Sequence, residues 1–520
     1  MTRTTRSQKF LLGSILLVAL MLRLTFAAGM SGNDDLGIGF NAIYLLDDGF
    51  SVPANHYAAR FGLILPVAGI FRLLGVGIAQ LIALPMVFSL IGIGLAYRLG
   101  IRMFDASVGL WAAGVLAIYP MDVEFAGLLF PDMVQGTLLA GAFCLAIQPD
   151  GAPRTWRSAI AAGALWAWAY YVKIDSFIMG PVFGLAWLMG FIGFARLLAV
   201  GLTALALVGV EMGFYAFLTG HPLLHMTLDQ RATNEVLTSG WDYRDFVTFP
   251  KAMFLTVYET GAQYFLLLAA IVLAIRQRAR PTLLLIGWVL IFHAWLAFGF
   301  DPFRQPIRLK PQLTRYLMVY AIPASIVVGW FLAWLYRAFS RWLTIGLCLG
   351  AAGLALVCMA FNLLSYQAAR ATTIATREAM RHGWMPLYTD VQSISVSSFL
   401  MRGSPRAGAV RAAQTHDFLT GKTTFQTITE PHAFLLINQE YARRLERRNL
   451  VTPIDPARFG MRVTTVLSVD HPLPAVSYAA MNVLMALANL VPVRAFRDKI
   501  NETATEVTAP NVAVVYQLDR

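Results

Sequence analysis

Six ionisable side chains stand where charge is most costly in an apolar sequence: Asp34, Asp35, Arg60, Asp132, Lys173 and Arg315, each near the end of a hydrophobic run. Charge beside hydrocarbon is normally kept for a partner or a substrate. Arginine binds phosphate bidentately and lysine binds it as a point charge, so Arg60, Lys173 and Arg315 together point to a phosphate group at the membrane surface. Arg304, Arg308 and Lys310 extend the cationic stretch ahead of Arg315. A phosphate binder alone has no need of the carboxylates. A general base, or a ligand of a divalent cation, would give them a role.

Each residue also has a plainer reading. Asp34 and Asp35, in Gly32-Asn33-Asp34-Asp35-Leu36-Gly37, precede a helical run over residues 38–46 and would suit its N-terminus. Arg60 would snorkel to the interface, Lys173 would pair with a neighbouring carboxylate such as Asp175, and Asp132, after Pro131, would cap a span. Carboxylates and cations from separate loops gathering on one side favour the chemical reading over these.

The elements that must position them follow from composition. The 520 residues are 58% hydrophobic and 13% charged, which excludes an ordinary soluble domain and describes a polytopic membrane protein. The net charge of +12 sits largely in short loops, where it sets topology and meets anionic lipid, so nucleic acid is not the partner. Cys144, Cys348 and Cys358 all lie in apolar runs, and neither a disulfide framework nor a cysteine metal site is indicated. Apolar runs centred on residues 10–29, 78–97, 108–121, 127–147, 158–173, 176–195, 197–218, 259–275, 281–299, 316–336 and 342–362 predict about eleven spans. The first has no persuasive processing site and is expected to be retained.

The basic clusters Arg3, Arg6 and Lys9; Arg98 and Arg102; Arg154 and Arg157; Arg196; Arg276, Arg278 and Arg280; and Arg337 and Arg341 all fall inside if the N-terminus is cytoplasmic. Residues 30–77, 119–125, 173–175, 219–258 and 300–314 then face outward, as does the tail. Residues 61–77, broken by Pro66 and Arg72, read as a helix lying in the interface. Beyond about residue 365 charge returns, and Leu387-Tyr388-Thr389-Asp390 and Val512-Ala513-Val514-Val515-Tyr516 read as strands, while residues 433–450 pass from a strand into a charged helix. The expectation is a membrane domain over residues 1–365 and a small extracytoplasmic α/β domain over 366–520, with the apolar helical run 478–491 packed in its core or dipping into the membrane surface, core packing being the commoner outcome.

The pattern resembles the GT-C superfamily of integral-membrane glycosyltransferases, in the branch of the protein O-mannosyltransferases and the lipid A aminoarabinose transferase. The resemblance covers most of residues 10–365. Asp34-Asp35 matches the acidic motif of that family's first outer loop, followed by Asn41-Ala42-Ile43-Tyr44-Leu45-Leu46-Asp47-Asp48-Gly49. Arg60, preceded by Tyr57, matches its basic residue; Asp132 in Phe130-Pro131-Asp132-Met133 its acid opening the fourth span; Lys173 its lysine after the fifth; and Arg315-Tyr316-Leu317, with Pro323 downstream, its Arg-Tyr-Leu motif. The second acid is Asp where the family usually has Glu.

The resemblance implies a GT-C fold and transfer of a sugar, with inversion, from a polyprenyl-phosphate carrier to a hydroxyl of a protein, lipid or envelope-glycan acceptor. It implies residence in a bacterial inner membrane. Asp34 leads as general base, with Asp35 as positioning partner or alternate. Arg60, Lys173 and Arg315 would hold the leaving phosphate, and His56, Tyr57 and Tyr316 would line the donor site. Asp132 would orient the acceptor or share a divalent cation with Asp34, a metal being optional. The sequence has no Asp-x-Asp nucleotide-sugar site, which fits a lipid-linked donor. A transporter or flippase of lipid-linked sugars is the rival reading; it would place its charges near the midplane of repeated, interrupted helices.

Overall fold

In a computed structural model, residues 5–147, 156–238, 248–299, 313–402, 407–417, 422–440, 442–443, 451–490 and 512–520 are described, with isolated positions between 494 and 504. Every apolar run named above is helical. The chain opens with α1 (Arg6–Thr25), α2 (Asp34–Asp47), α3 (Phe61–Leu74), α4 (Ile78–Met103), α5 (Ala106–Ala117), α6 (Pro120–Ala126), α7 (Pro131–Ala146) and α8 (Trp156–Val172). It continues through α9 (Met179–Leu188), α10 (Phe194–Thr219), α11 (Leu224–Thr238), α12 (Thr248–Phe254), α13 (Val257–Thr260), α14 (Gln263–Gln277), α15 (Arg280–Phe298), α16 (Ala321–Ala338) and α17 (Arg341–Asn362).

Among the described residues six helices are long and apolar enough to cross a membrane, or seven if the bent pair α5 and α6 is one span. The protein is therefore an integral membrane protein. The sequence predicted unbroken spans over several of the other runs, and the structure breaks them. Run 108–121 bends by 62° between α5 and α6, because Pro120 has no N–H with which to continue the helix. The fifth and sixth runs part at Lys173, at the turn expected over residues 173–175, and Ile174–Ile178 there tightens into a 3-10 turn before α9. The tenth opens as a 3-10 segment, Thr314–Tyr320, ahead of α16. The second and third of these breaks fall at or beside Lys173 and Arg315.

Close approach at two glycines fixes those breaks in space. A Cβ on Gly62 would lie 2.6 Å from the Val172 backbone nitrogen, and one on Gly136 would lie 2.9 Å from the Met318 carbonyl oxygen. The first contact brings α3, which follows Arg60, against the end of α8 beside Lys173. The second brings α7, which carries Asp132, against the segment holding Arg315. Small residues do this commonly between membrane helices, where packing rather than water drives association. Deeper in the bundle Arg23 of α1, fully buried, pairs with Asp122 of α6 and bonds Ser89 of α4.

The helix α3 buries Leu63, Ile64, Val67 and Phe71 and exposes Leu65, Leu73 and Leu74; at 14 residues it is too short to span. After α17, Leu363–Tyr366 turns as a 3-10 segment into α18 (Gln367–His382). The C-terminal region holds β1 (Leu387–Thr389), α19 (Ser393–Met401), β2 (Val410–Ala412), β3 (Gln414–Asp417), β4 (Lys422–Phe425), β5 (His432–Asn438), β6 (Arg462–Val469), α20 (Ala475–Leu490) and β7 (Ala513–Asp519). Its five-stranded sheet runs β2-β1-β5-β7-β6, parallel at β1 and antiparallel at β7, with β3-β4 as a separate hairpin. The strands expected at residues 387–390 and 512–516 correspond to β1 and β7; the charged half of 433–450 lies mostly outside the described residues.

The expectation of core packing for 478–491 is corrected. α20 packs Ala480, Met481, Leu484 and Ala488 against Ala355, Cys358 and Met359 of α17, while Val476, Val483, Leu487 and Leu490 are exposed. Its partner is a membrane span, not the sheet, and its outer face stays apolar. The sheet region meets the bundle at α2, through the Phe40 and Phe399 rings, 6.1 Å apart, and an Asp47–Arg402 ion pair. The carboxylate pair and the C-terminal region thus share one end of the bundle.

Candidate active site

Asn33 is the N-cap of α2, and Asp34 and Asp35 occupy its first turn with opposite fates. Asp35 turns inward. It is fully buried and accepts hydrogen bonds from Ser31 N at 2.6 Å, Ser31 Oγ at 2.8 Å and Asn33 N at 3.0 Å. Burial pushes its carboxyl up, against the lowering effect of those bonds from Ser31 and Asn33. The capping interpretation thus describes Asp35, which anchors the segment leading into α2.

Asp34 turns toward the other site residues. Its Oδ2 accepts from Arg315 Nη2 at 2.6 Å and its Oδ1 from the Tyr57 hydroxyl at 2.8 Å. Burial would raise its carboxyl, but the charges of Arg315 and Arg60 and the two hydrogen bonds outweigh it and hold the group at about 2. Arg315 Nε also lies 3.5 Å from Asp132 Oδ2, and Asp132 Oδ1 accepts from Lys173 Nζ at 2.7 Å. Lys173 in turn stands 3.9 Å from Asp175 Oδ2, whose Oδ1 accepts from the indole of Trp295 at 3.3 Å. One chain of charges, Asp34–Arg315–Asp132–Lys173–Asp175, joins residues from α2, α7, the turn after α8 and the segment before α16.

Aromatic faces surround the cations. Lys173 Nζ lies 3.6 Å from the centre of the Tyr316 ring, and the Arg315 guanidinium 4.5 Å from that of Phe130. Such contacts stabilise a cation without neutralising it. Arg60 sits 5.6 Å over the Tyr57 ring, and its Nη1, buried, has no hydrogen-bond partner among the described residues. A buried donor of that kind costs about 1–3 kcal/mol, so an oxygen acceptor arriving there would be held. His56 packs its ring 3.8 Å from that of Tyr57, and burial, then the Arg60 charge, pulls its pKa down to about 3. It is neutral at pH 7.

The residues expected from the sequence are therefore brought together, except that Asp35 faces away. Arg304, Arg308 and Lys310 lie outside the described residues. Asp175, Trp295 and Phe130 were not anticipated as site residues; only the spacing of Lys173 and Asp175 hinted at one of them. Asp34 and Asp132, the pair that would share a divalent cation, instead share the Arg315 guanidinium, which donates a hydrogen bond to Asp34 and forms an ion pair with Asp132. Among the described residues no group of three His, Cys, Asp or Glu side chains is placed to hold a metal ion. The donor set does not fit such a site.

No family model matches the sequence, and no curated protein matches it. Solved structures do match in fold. ArnT from Cupriavidus metallidurans bound to undecaprenyl phosphate aligns with 85% of this chain and 95% of its own, at 14% identity and a TM-score of 0.51. The oligosaccharyltransferase of Archaeoglobus fulgidus in the apo form covers 99% of this chain and 89% of its own, at 12% identity and a TM-score of 0.54. The oligosaccharyltransferase AglB from Archaeoglobus fulgidus in complex with an inhibitory peptide and a dolichol-phosphate gives a TM-score of 0.51 at 12% identity, with the same coverage. The chain has the GT-C fold of integral-membrane glycosyltransferases, with a small sheet-containing region at its C-terminal end.

Proposed function

We propose that the protein is a membrane glycosyltransferase that moves a sugar from a polyprenyl-phosphate donor to an acceptor hydroxyl, with inversion, on the outer side of the membrane. The observation that carries this reading is the Arg315 guanidinium held between Asp34 and Asp132, with Lys173 on the far side of Asp132. A carboxylate is thereby preorganised beside cations, as phosphate-leaving sugar transfer requires. Undecaprenyl phosphate in ArnT and dolichol-phosphate in AglB, bound to proteins of the same fold, support a lipid-phosphate donor.

In this mechanism Asp34 takes the proton of the acceptor hydroxyl. The acceptor oxygen forms its bond to the anomeric carbon as the bond from that carbon to the phosphate oxygen breaks. Arg60, Lys173 and Arg315 receive the phosphate, with Tyr57, His56 and Tyr316 lining the donor and Asp132 orienting Lys173, Arg315 and the acceptor. Asp35 is a positioning residue for Asp34.

The charges explain how donor and base are coupled. Arg60, Lys173 and Arg315 are matched one for one by Asp34, Asp132 and Asp175, so an arriving phosphate competes with Asp34 for Arg315. As the guanidinium turns to the phosphate, Asp34 loses the partner that keeps it weakly basic, and its pKa climbs toward the ordinary carboxylate range. The base strengthens when the donor is in place.

Purified protein incubated with polyprenyl-phosphate sugars should transfer the sugar to an acceptor extract. Movement of lipid-linked sugar across vesicles without transfer would replace this reading with the transport one. The position of the charge chain at helix ends, away from mid-helix, favours transfer.

A further inference from the structure

We propose that a cavity between α18 and the ends of α1 and α4 binds an anionic diacyl phospholipid of the surrounding bilayer. The cavity, about 500 Å³, contains none of the residues of the charge chain. One wall is apolar, formed by Met30 beyond α1 and by Ile78 and Ile82 in the first turns of α4. The other is the face of α18 that carries Arg370, Ile374 and Arg377.

The spacing of these three, four and then three residues apart, puts them on one side of the helix, with the arginines two turns or about 10 Å apart. Neither arginine has a hydrogen bond or ion pair among the described residues, and no acidic side chain is among the residues that line the cavity. The nearby Glu378 on the same helix is taken up by Arg381 and His382. Two uncompensated guanidinium groups facing an apolar wall describe a ligand with a phosphate at one end and hydrocarbon at the other.

The level of the cavity identifies the source. α1 and α4 are long enough to cross the membrane, and the cavity begins where α1 ends and α4 starts. That is the depth of phospholipid headgroups, where a basic side chain contributes about 1 kcal/mol toward an anionic lipid. The acyl chains would pass along Ile78 and Ile82 toward the hydrocarbon, with the phosphate between Arg370 and Arg377. Met30 precedes Ser31, the residue Asp35 holds, so the bound lipid would buttress the segment that presents Asp34.

Native mass spectrometry of the detergent-purified full chain with phosphatidylglycerol or phosphatidylcholine of matched chains tests this. The wild type should retain phosphatidylglycerol preferentially, with each of Arg370→Ala and Arg377→Ala weakening it about fivefold. Arg377 is exposed, so Arg377→Glu, checked by an unchanged melting midpoint, should abolish the preference without unfolding the chain. Equal retention of the two lipids by the wild type, or an undiminished preference in the double alanine variant, would overturn the proposal. So would displacement of phosphatidylglycerol by inorganic phosphate, which would make the ligand a free anion, or by undecaprenyl phosphate at equal concentration, which would make it the carrier lipid.

Discussion

Asn in place of Asp34 or Asp35 separates chemistry from architecture. Asp34→Asn keeps the shape of the side chain and an oxygen for the Tyr57 hydroxyl, but removes the charge facing Arg315 and the basic oxygen facing the acceptor. A general base contributes about 10²–10⁴-fold, equivalent to about 2.7–5.5 kcal/mol of barrier. The Asp34–Arg315 pair is about one-fifth exposed, so its loss costs stability less than a fully buried pair would. Asp35→Asn does the reverse. Its amide would turn an N–H toward Ser31 N or Asn33 N, breaking bonds that the buried carboxylate now accepts, at a cost of about 1–3 kcal/mol. Sugar transfer at saturating donor, with a melting curve in the same detergent, reads both effects. Asp34→Asn should lose at least about a hundredfold in kcat with little change in melting, whereas Asp35→Asn should melt lower and retain measurable kcat below its transition. An Asp34→Asn enzyme within tenfold of wild type would refute the assignment of the base, and a stable but inactive Asp35→Asn would move that role to Asp35.

Lys173→Met leaves the buried Asp132 carboxylate with Arg315 alone and should destabilise the protein by about 3–5 kcal/mol; adding Asp132→Asn should restore most of the melting midpoint but not transfer. Because Asp34 is held at about 2, below the usual carboxylate range, its pairing adds stability that is complete above about pH 4 and is lost as pH falls through about 2. The profile of kcat/KM against pH should accordingly show no acid limb from this carboxylate above about pH 3, and Arg315→Met should move that limb upward. Gly62→Ala would set a methyl 2.6 Å from Val172 N and 2.7 Å from the Tyr171 carbonyl carbon, backbone atoms that cannot swing aside. It should cost about 1–3 kcal/mol and reduce kcat by drawing Arg60 away from Lys173, measured as transfer at a temperature where the variant is folded.

The apolar runs made the helices legible because a stretch of hydrocarbon-facing side chains has few alternatives to helix inside a membrane. Where those helices break was written more faintly. Pro120 marked one bend and the gap between the runs 158–173 and 176–195 marked a turn at residues 173–175, but nothing in the sequence announces that Ile174–Ile178 and Thr314–Tyr320 wind as 3-10 segments. Those breaks come from tertiary contacts such as Val172 against Gly62, whose two halves lie far apart in sequence. The same limit explains α20. Its apolar period fixed that one face is buried, but the burying surface is α17, more than a hundred residues earlier, and periodicity reports a face without naming what covers it.

The two aspartates carry that lesson to the site itself. Adjacent residues at the start of a helix point about 100° apart, so Asp34 and Asp35 could not both face one ligand, and residue type alone left open which one does. The loop before α2 decides it: Ser31 and Asn33 offer their donors to Asp35, and the helix rotation that satisfies them turns Asp34 toward Tyr57 and Arg315. The structural reading of the pair thus applies to Asp35, and the proposed chemical role falls to Asp34. Asp35 could be replaced as an anchor only by a residue that accepts those bonds from the same position, whereas Asp34 answers to the charge opposite it. Exchange of roles between them therefore requires a different Ser31–Asn33 segment as well as a different carboxylate.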